Sequence, residues 1–172
     1  MPAAPRLTLV IGGARSGKSR YAEAIVCALP PPWLYVATAE ALDDEMRGRI
    51  AHHRDRRDEG WQTVDAPRDL PKTIQRLSDA RHPMLVDCLT LWLSNCLLAD
   101  RDLDEVTDRL LAALEKAAGP VVIVSNEVGL GIVPDTPLGR RFRDAQGRLN
   151  QRVAGMADRV VMMIAGLPLT VK

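Results

Sequence analysis

Nothing in this 172-residue chain approaches the roughly 20 consecutive apolar residues a membrane-spanning helix requires, so no bilayer insertion is expected. An excess of one charge is also missing. With 23 basic and 22 acidic residues the formal net charge is +1, which argues against a nucleic acid or an anionic lipid surface as partner. Any anion must be gripped locally. Cysteine is sparse: Cys27, Cys88 and Cys96 are odd in number, sit in apolar segments and lack paired metal-ligand spacing, as expected for reduced, buried thiols of a cytoplasmic protein. Residues Met1 to Arg6 show no basic stretch leading into an apolar run, so no signal peptide is expected. Repeats, low-complexity tracts and linkers are absent as well. With 47% hydrophobic residues, a chain of this length can bury one substantial core, and residues 1–172 are read as a single domain.

What is present is an alternation of short apolar strands and amphipathic helices. Strands are expected at Leu7–Ile11, Leu34–Val36, Gln62–Val64, Met84–Val86, Val121–Val124 and Val160–Ile164, with a final edge strand at Leu169–Val171. Helices are expected over Lys18–Leu29, from Asp43 to about Arg57, and over Asp69–Ala80, Thr90–Leu98, Leu103–Ala118 and Leu138–Met156. In the last of these, Leu138, Phe142, Ala145, Leu149 and Val153 mark the inner stripe. Such alternation implies a mainly parallel sheet flanked by helices on both faces, a three-layer α/β arrangement.

Between the first strand and the first helix lies Gly12-Gly13-Ala14-Arg15-Ser16-Gly17-Lys18-Ser19, the glycine, four-residue, glycine-lysine-serine pattern of a phosphate-binding loop. Its context is the one that the motif needs. Glycines let backbone N–H groups curl around phosphate oxygens, the helix N-terminus adds positive partial charge, Lys18 neutralises the outer phosphates and Ser19 can ligate magnesium. Only four lysines occur in the chain, Lys18, Lys72, Lys116 and Lys172. Asp87, at the carboxyl end of an apolar strand, stands where such proteins place the acid that orients magnesium and its water.

Two of the three histidines, His52 and His53, are adjacent and surrounded by Arg47, Arg49, Arg54, Arg56 and Arg57. On a helix, His53 follows Ile50 and Met46 towards the core, whereas His52 is turned away by roughly 200° from Ile50. A neutral imidazole can attack an α-phosphate and release pyrophosphate, and nearby guanidinium groups favour the neutral ring. Spacing alone leaves open an ordinary, arginine-rich solvated helix. A histidine metal site is disfavoured, because adjacent side chains diverge on a helix. Ser125–Pro134 is expected to be a structureless stretch after a strand, where α/β sheets bind ligands.

The segments GGARSGKSRYAE from Gly12, YVATAEALDDEMRGRIAHHRDRR from Tyr35, DCLTLWLSN from Asp87, SNEVGLGIVP from Ser125 and RRFRDAQGRLNQRVAGMADRVVMMIAGLPLTVK from Arg140 together span nearly the whole chain. In order and spacing they resemble the adenosylcobinamide kinase and adenosylcobinamide-phosphate guanylyltransferase family. The resemblance implies a RecA-like P-loop domain that assembles as a homotrimer with active sites near subunit boundaries. It implies phosphorylation of adenosylcobinamide by ATP or GTP, then transfer of GMP from GTP through a guanylylated histidine, which falls on His52, with Mg2+ as cofactor. Thr38, Ala39 and Glu40, with His53, Arg54, Asp55 and Arg56, match segments that contact nucleotide. Asp65 and Asp87 match positions for guanine or magnesium binding, where related sequences often carry glutamate. Asn126, Glu127 and Gly129 become candidates for the substrate site. Two rival readings are a small-molecule P-loop kinase without guanylyl transfer and a non-catalytic GTP-sensing module. The second lacks an Asn-Lys-x-Asp guanine-reading motif.

Overall fold

In the computed structural model, residues 5–40, 59–79 and 81–172 are described. Their elements run β1 Leu7–Gly12, α1 Lys18–Cys27, β2 Trp33–Ala37, β3 Trp61–Asp65, α2 Leu70–Leu77, β4 Met84–Asp87, α3 Leu89–Leu98, α4 Leu103–Glu115, β5 Val121–Asn126, α5 Pro137–Met156, β6 Arg159–Ile164 and β7 Leu167–Thr170. The strands form one sheet in the order β3-β2-β4-β5-β1-β6-β7. All neighbours pair in parallel except β6 and β7. Parallel strands are buried on both faces, which is why β1, β4 and β5 read as continuous apolar runs rather than alternating ones.

Side chains alternate across the sheet and so divide the core in two. Leu7 and Leu9 of β1 face the layer built by α2, α3, α4 and α5, where Leu70, Leu93, Leu110 and Leu149 are buried. Val10 faces the opposite way. It packs with Ala22 and Val26 of α1 and with Tyr35, Leu85 and Val122 from the neighbouring strands. Entry into α4 is set by Asp102, whose carboxylate accepts from the amides of Asp104 and Glu105 at 2.9 and 3.0 Å, satisfying donors the helix leaves unpaired.

Several expectations need correction. Cys27 is exposed, since one helical step of about 100° turns it from Val26, which packs on the sheet, towards solvent. Leu138 is 53% exposed rather than part of the inner stripe, because it lies in the first turn of α5, ahead of the region that meets the core. The buried stripe of α5 is Ala145, Leu149 and Val153, with Phe142 partly covered, and it includes the polar Gln146 and Asn150. α1 stops at Cys27, short of Leu29, and α4 at Glu115, short of Ala118. α2 stops at Leu77 because Ser78 turns extended, and its hydroxyl accepts the amide of Ala118 at 2.7 Å. The final strand begins at Leu167, not Leu169, directly after a tight turn in which Ala165 and Gly166 have φ of 50° and 83°. Ser125 and Asn126 belong to β5, so the irregular stretch starts only at Glu127. The helix expected from Asp43 to Arg57 lies outside the described residues.

Candidate nucleotide site

Every strand that carries a candidate residue ends at the same edge of the sheet. Gly12 pairs with Asn126, Ala37 with both Asp65 and Asp87, and Asp87 with Val124. With neighbouring strands ~4.8 Å apart, Asp65 and Asp87 stand about 10 Å from one another, and Asp87, level with Val10 and two residues short of Gly12, stands about 12 Å from Gly12. The sheet therefore gathers residues from distant parts of the chain along its carboxyl edge, where open α/β sheets bind ligands.

At the centre of that edge is the Gly12–Ser19 loop. A Cβ at Gly12 would lie 2.6 Å from the Met163 carbonyl oxygen and 2.8 Å from Ser16 Oγ, so the approach of β6 admits only glycine. Gly17 has φ of 93°, the left-handed conformation from which α1 starts. Gly13, Ala14 and Arg15 are exposed, while Ser16 and Lys18 are buried. The Lys18 ammonium donates to Gly13 O at 2.5 Å and to Ser16 Oγ at 3.5 Å, which holds the charge against its own loop. Burial pushes its pKa down, and the nearby Cys88 and Asp87 oppose that shift. Gly166 N donates to Ser16 O at 3.0 Å, so the β6–β7 turn braces the loop from outside.

Asp87 is oriented from β2, whose Tyr35 hydroxyl donates to Asp87 Oδ2 at 2.6 Å. Its Oδ1 receives no hydrogen bond from the described residues. Among those residues no group of three or more His, Cys, Asp or Glu side chains is assembled to cage a metal. The half-buried Ser19 and Asp87 instead supply a hydroxyl and a carboxylate, hard oxygen donors of the kind that nucleotide-bound Mg2+ takes in ones or twos.

Thr38 is fully buried and its side chain is committed to structure: Oγ1 accepts from Cys88 N at 2.8 Å and donates to Cys88 O at 2.7 Å. Asn95 then ties the Thr38 and Pro67 carbonyls together, at 2.8 and 2.9 Å. This clamp locks the ends of β2 and β4 side by side. Beyond it, Ala39 is half-buried and Glu40 forms an ion pair with Arg68 at 2.9 Å. Asp65 is exposed at the end of β3. On the other side, Glu127 N donates to Gly12 O at 3.0 Å, and the Glu127 carboxylate accepts the Gly129 amide at 2.6 Å. Asn126 N donates to Thr90 Oγ1 at 2.8 Å, and Asn126 O accepts from Asn150 Nδ2 at 3.0 Å. His52, His53, Arg54, Asp55 and Arg56 fall in 41–58, outside the described residues, in the connection between β2 and β3.

Tyr35, Asn95, Thr90 and Gly166 went unmarked in the sequence. Two left a signal there: a hydroxyl within an apolar strand, and an amide within the largely apolar helix LTLWLSNCLL. Thr90 and Gly166 act through contacts between elements distant in the chain, and no local pattern carries that.

The thiols make a check on this packing. Burial pushes Cys88 up to about 12 and Cys96 up to about 11. Thiolates being the reactive species, iodoacetamide at pH 8 should label the folded protein at Cys27 alone and the unfolded chain at all three cysteines, as read by peptide mass mapping. Labelling of Cys88 at the rate of Cys27 in the folded protein would contradict the packing.

Fold and loop together define a P-loop nucleotide-binding protein of the RecA-like kind. Among solved structures, a RadB recombinase superposes with a TM-score of 0.56 at 18% identity, covering 92% of this chain and 74% of that one. An ATPase from the type III secretion system of pathogenic bacteria superposes with a TM-score of 0.53 at 11% identity, covering 96% and 56%. At such identities the likeness concerns the fold alone.

Residues 8–171 match the family described as cobinamide kinase / cobinamide phosphate guanyltransferase, and the chain belongs to that family. The bifunctional adenosylcobalamin biosynthesis protein CobP of Pseudomonas aeruginosa is 46% identical over 166 residues, 95% of this chain and 96% of that one. The corresponding CobU proteins of Salmonella typhimurium and Escherichia coli are each 40% identical over 181 aligned positions, 96% of this chain and 99% of theirs.

Proposed function

We propose that this chain phosphorylates the hydroxyl of adenosylcobinamide with ATP or GTP and then transfers GMP from GTP to the resulting phosphate, giving adenosylcobinamide-GDP and pyrophosphate. The observation that carries this reading is a phosphate loop flanked by strand-end acids on one sheet edge, in a chain that matches its family over residues 8–171.

In the first reaction the Gly12–Ser19 backbone and Lys18 hold the triphosphate, and the acceptor hydroxyl approaches from the side of Asn126, Glu127 and Gly129. Ser19 and Asp87 hold Mg2+, which when bound adds positive charge against the phosphates. In the second, a ring nitrogen of neutral His52 attacks the α-phosphorus of GTP. An N–P bond forms, the bond to the bridging oxygen breaks, and pyrophosphate leaves. The phosphate oxygen of adenosylcobinamide phosphate then attacks the same phosphorus and regenerates the imidazole. Thr38, Ala39, Glu40, His53, Arg54, Asp55, Arg56 and Asp65 are assigned to the nucleotide. Thr38 would act by fixing the end of β2 beside β4, since its hydroxyl, amide and carbonyl are engaged with Cys88, Asp87 and Asn95.

We assign residues 1–172 to one catalytic domain, placed in the cytoplasm and assembled as a homotrimer. The apolar side chains exposed along the terminal hairpin, Ile164, Leu167, Leu169 and Val171, support association. No helix among the described residues is long and apolar enough to cross a membrane.

The test uses GTP labelled at the α-phosphate. Protein incubated with it should acquire an acid-labile label, then lose that label into adenosylcobinamide-GDP when adenosylcobinamide phosphate is added. A kinase without guanylyl transfer would phosphorylate adenosylcobinamide and leave the protein unlabelled.

A further inference from the structure

The stretch after β5 holds apolar side chains out in solvent. Leu130 is 82% exposed, Ile132 98% and Val133 59%. A frame of hydrogen bonds keeps them there. At the near end Glu127 N is bonded to Gly12 O at 3.0 Å and Gly129 N to the Glu127 carboxylate at 2.6 Å. At the far end Arg140 Nη1 donates to the carbonyls of Pro134 and Asp135 at 3.0 and 2.9 Å. Three apolar side chains held in solvent within four residues, on a stretch tied down at both ends, mark a surface that something else covers.

Two features of the molecule say what covers it. The stretch starts from a hydrogen bond to the phosphate loop, Glu127 N to Gly12 O, three residues before Leu130, so an occupant of its apolar side chains can reach towards the nucleotide's phosphates. The cobinamide that the family's description names is a macrocycle whose faces carry methyl groups and whose rim carries amides. Its acceptor hydroxyl hangs from a short arm. For that oxygen to come within about 3.5 Å of the transferred phosphorus, the macrocycle must rest within an arm's length of the phosphate loop. The other exposed apolar group is of a different kind. Ile164, Leu167 and Leu169 lie on the β6–β7 hairpin, whose β7 is an edge strand of the sheet among the described residues, which suits another chain better than a ring-shaped ligand.

We propose that Leu130, Ile132 and Val133 form the platform on which the apolar face of the cobinamide macrocycle rests, and that they set the selectivity for corrinoids over small alcohols. This rests on the functional reading above, and it assigns corrinoid contacts to residues outside the family-matched candidates Asn126, Glu127 and Gly129.

The experiment is equilibrium dialysis of adenosylcobinamide against the full-length protein and the I132S and L130S/I132S variants, with sedimentation equilibrium on each. These side chains touch solvent, so their replacement leaves the core intact. One buried side chain of this size corresponds to roughly a tenfold change in affinity. The expected result is about a tenfold weaker Kd for I132S, a larger loss for the double variant, and an unchanged oligomeric state. An unchanged Kd overturns the platform. So does dissociation of the assembly, which would make the loop a contact between copies of this chain. The functional reading fails separately: wild-type protein that binds adenosylcobinamide tightly but transfers neither phosphate nor GMP would refute it while leaving the platform standing.

Discussion

Replacing Lys18 with alanine should lower phosphorylation of adenosylcobinamide by roughly 10²- to 10³-fold, the scale of losing one preorganised charge-stabilising donor. The reason is where the charge sits. Its ammonium is buried with the loop that wraps the phosphates and bonded to Gly13 O, so water is poorly placed to replace it. Stability should change little, since the loop's shape rests on Gly12, Gly17 and the brace from Gly166.

A pH dependence follows with a definite sign. Burial lowers the pKa of Lys18, and bound phosphate, being negative, raises it again. Nucleotide binding therefore takes up a proton as pH rises through the depressed value of the free protein, and affinity falls over that window. Titration calorimetry in buffers of differing ionisation enthalpy would detect the uptake. Equal affinity for ATP in the wild type and the alanine variant would remove Lys18 from the site.

The second large effect concerns position 52. His52→Ala should abolish the acid-labile label from α-labelled GTP and slow formation of adenosylcobinamide-GDP by roughly 10⁴-fold or more, as expected when a nucleophile is removed. Phosphorylation of adenosylcobinamide should persist, because the phosphate loop holds its nucleotide without that ring. A variant that still transferred GMP at the wild-type rate would show that another group accepts it. The pair of measurements separates the two chemistries: Lys18→Ala strikes the kinase step, and His52→Ala spares it.

Some of this was readable from local chemistry. The phosphate loop needs glycine where the chain turns and a lysine at the head of a helix, and both requirements are met within eight consecutive residues, so Gly12–Ser19 was legible from order alone. The strands from Leu7, Trp33, Met84, Val121 and Arg159 were legible because parallel strands buried on both faces are unbroken apolar runs. Faces and ends were less so. Cys27 and Leu138 look apolar enough to be inside, yet the direction each side chain takes depends on where its helix meets the sheet. Ser78 ends α2 by capping Ala118, forty residues away, which no window around residue 78 contains.

By itself, then, the order of residues determined which chemistry is available: a loop that binds phosphate, a histidine set among arginines, and alternating strands and helices that build a parallel sheet. The relations among those parts were decided in three dimensions. The clamp of Thr38, Cys88 and Asn95, the Tyr35 hydroxyl on Asp87 and the seating of Glu127 on Gly12 join segments up to 115 residues apart. Hydrogen bonds act over about 3 Å, so only folding, by bringing distant strand ends onto one edge, could bring these partners within reach.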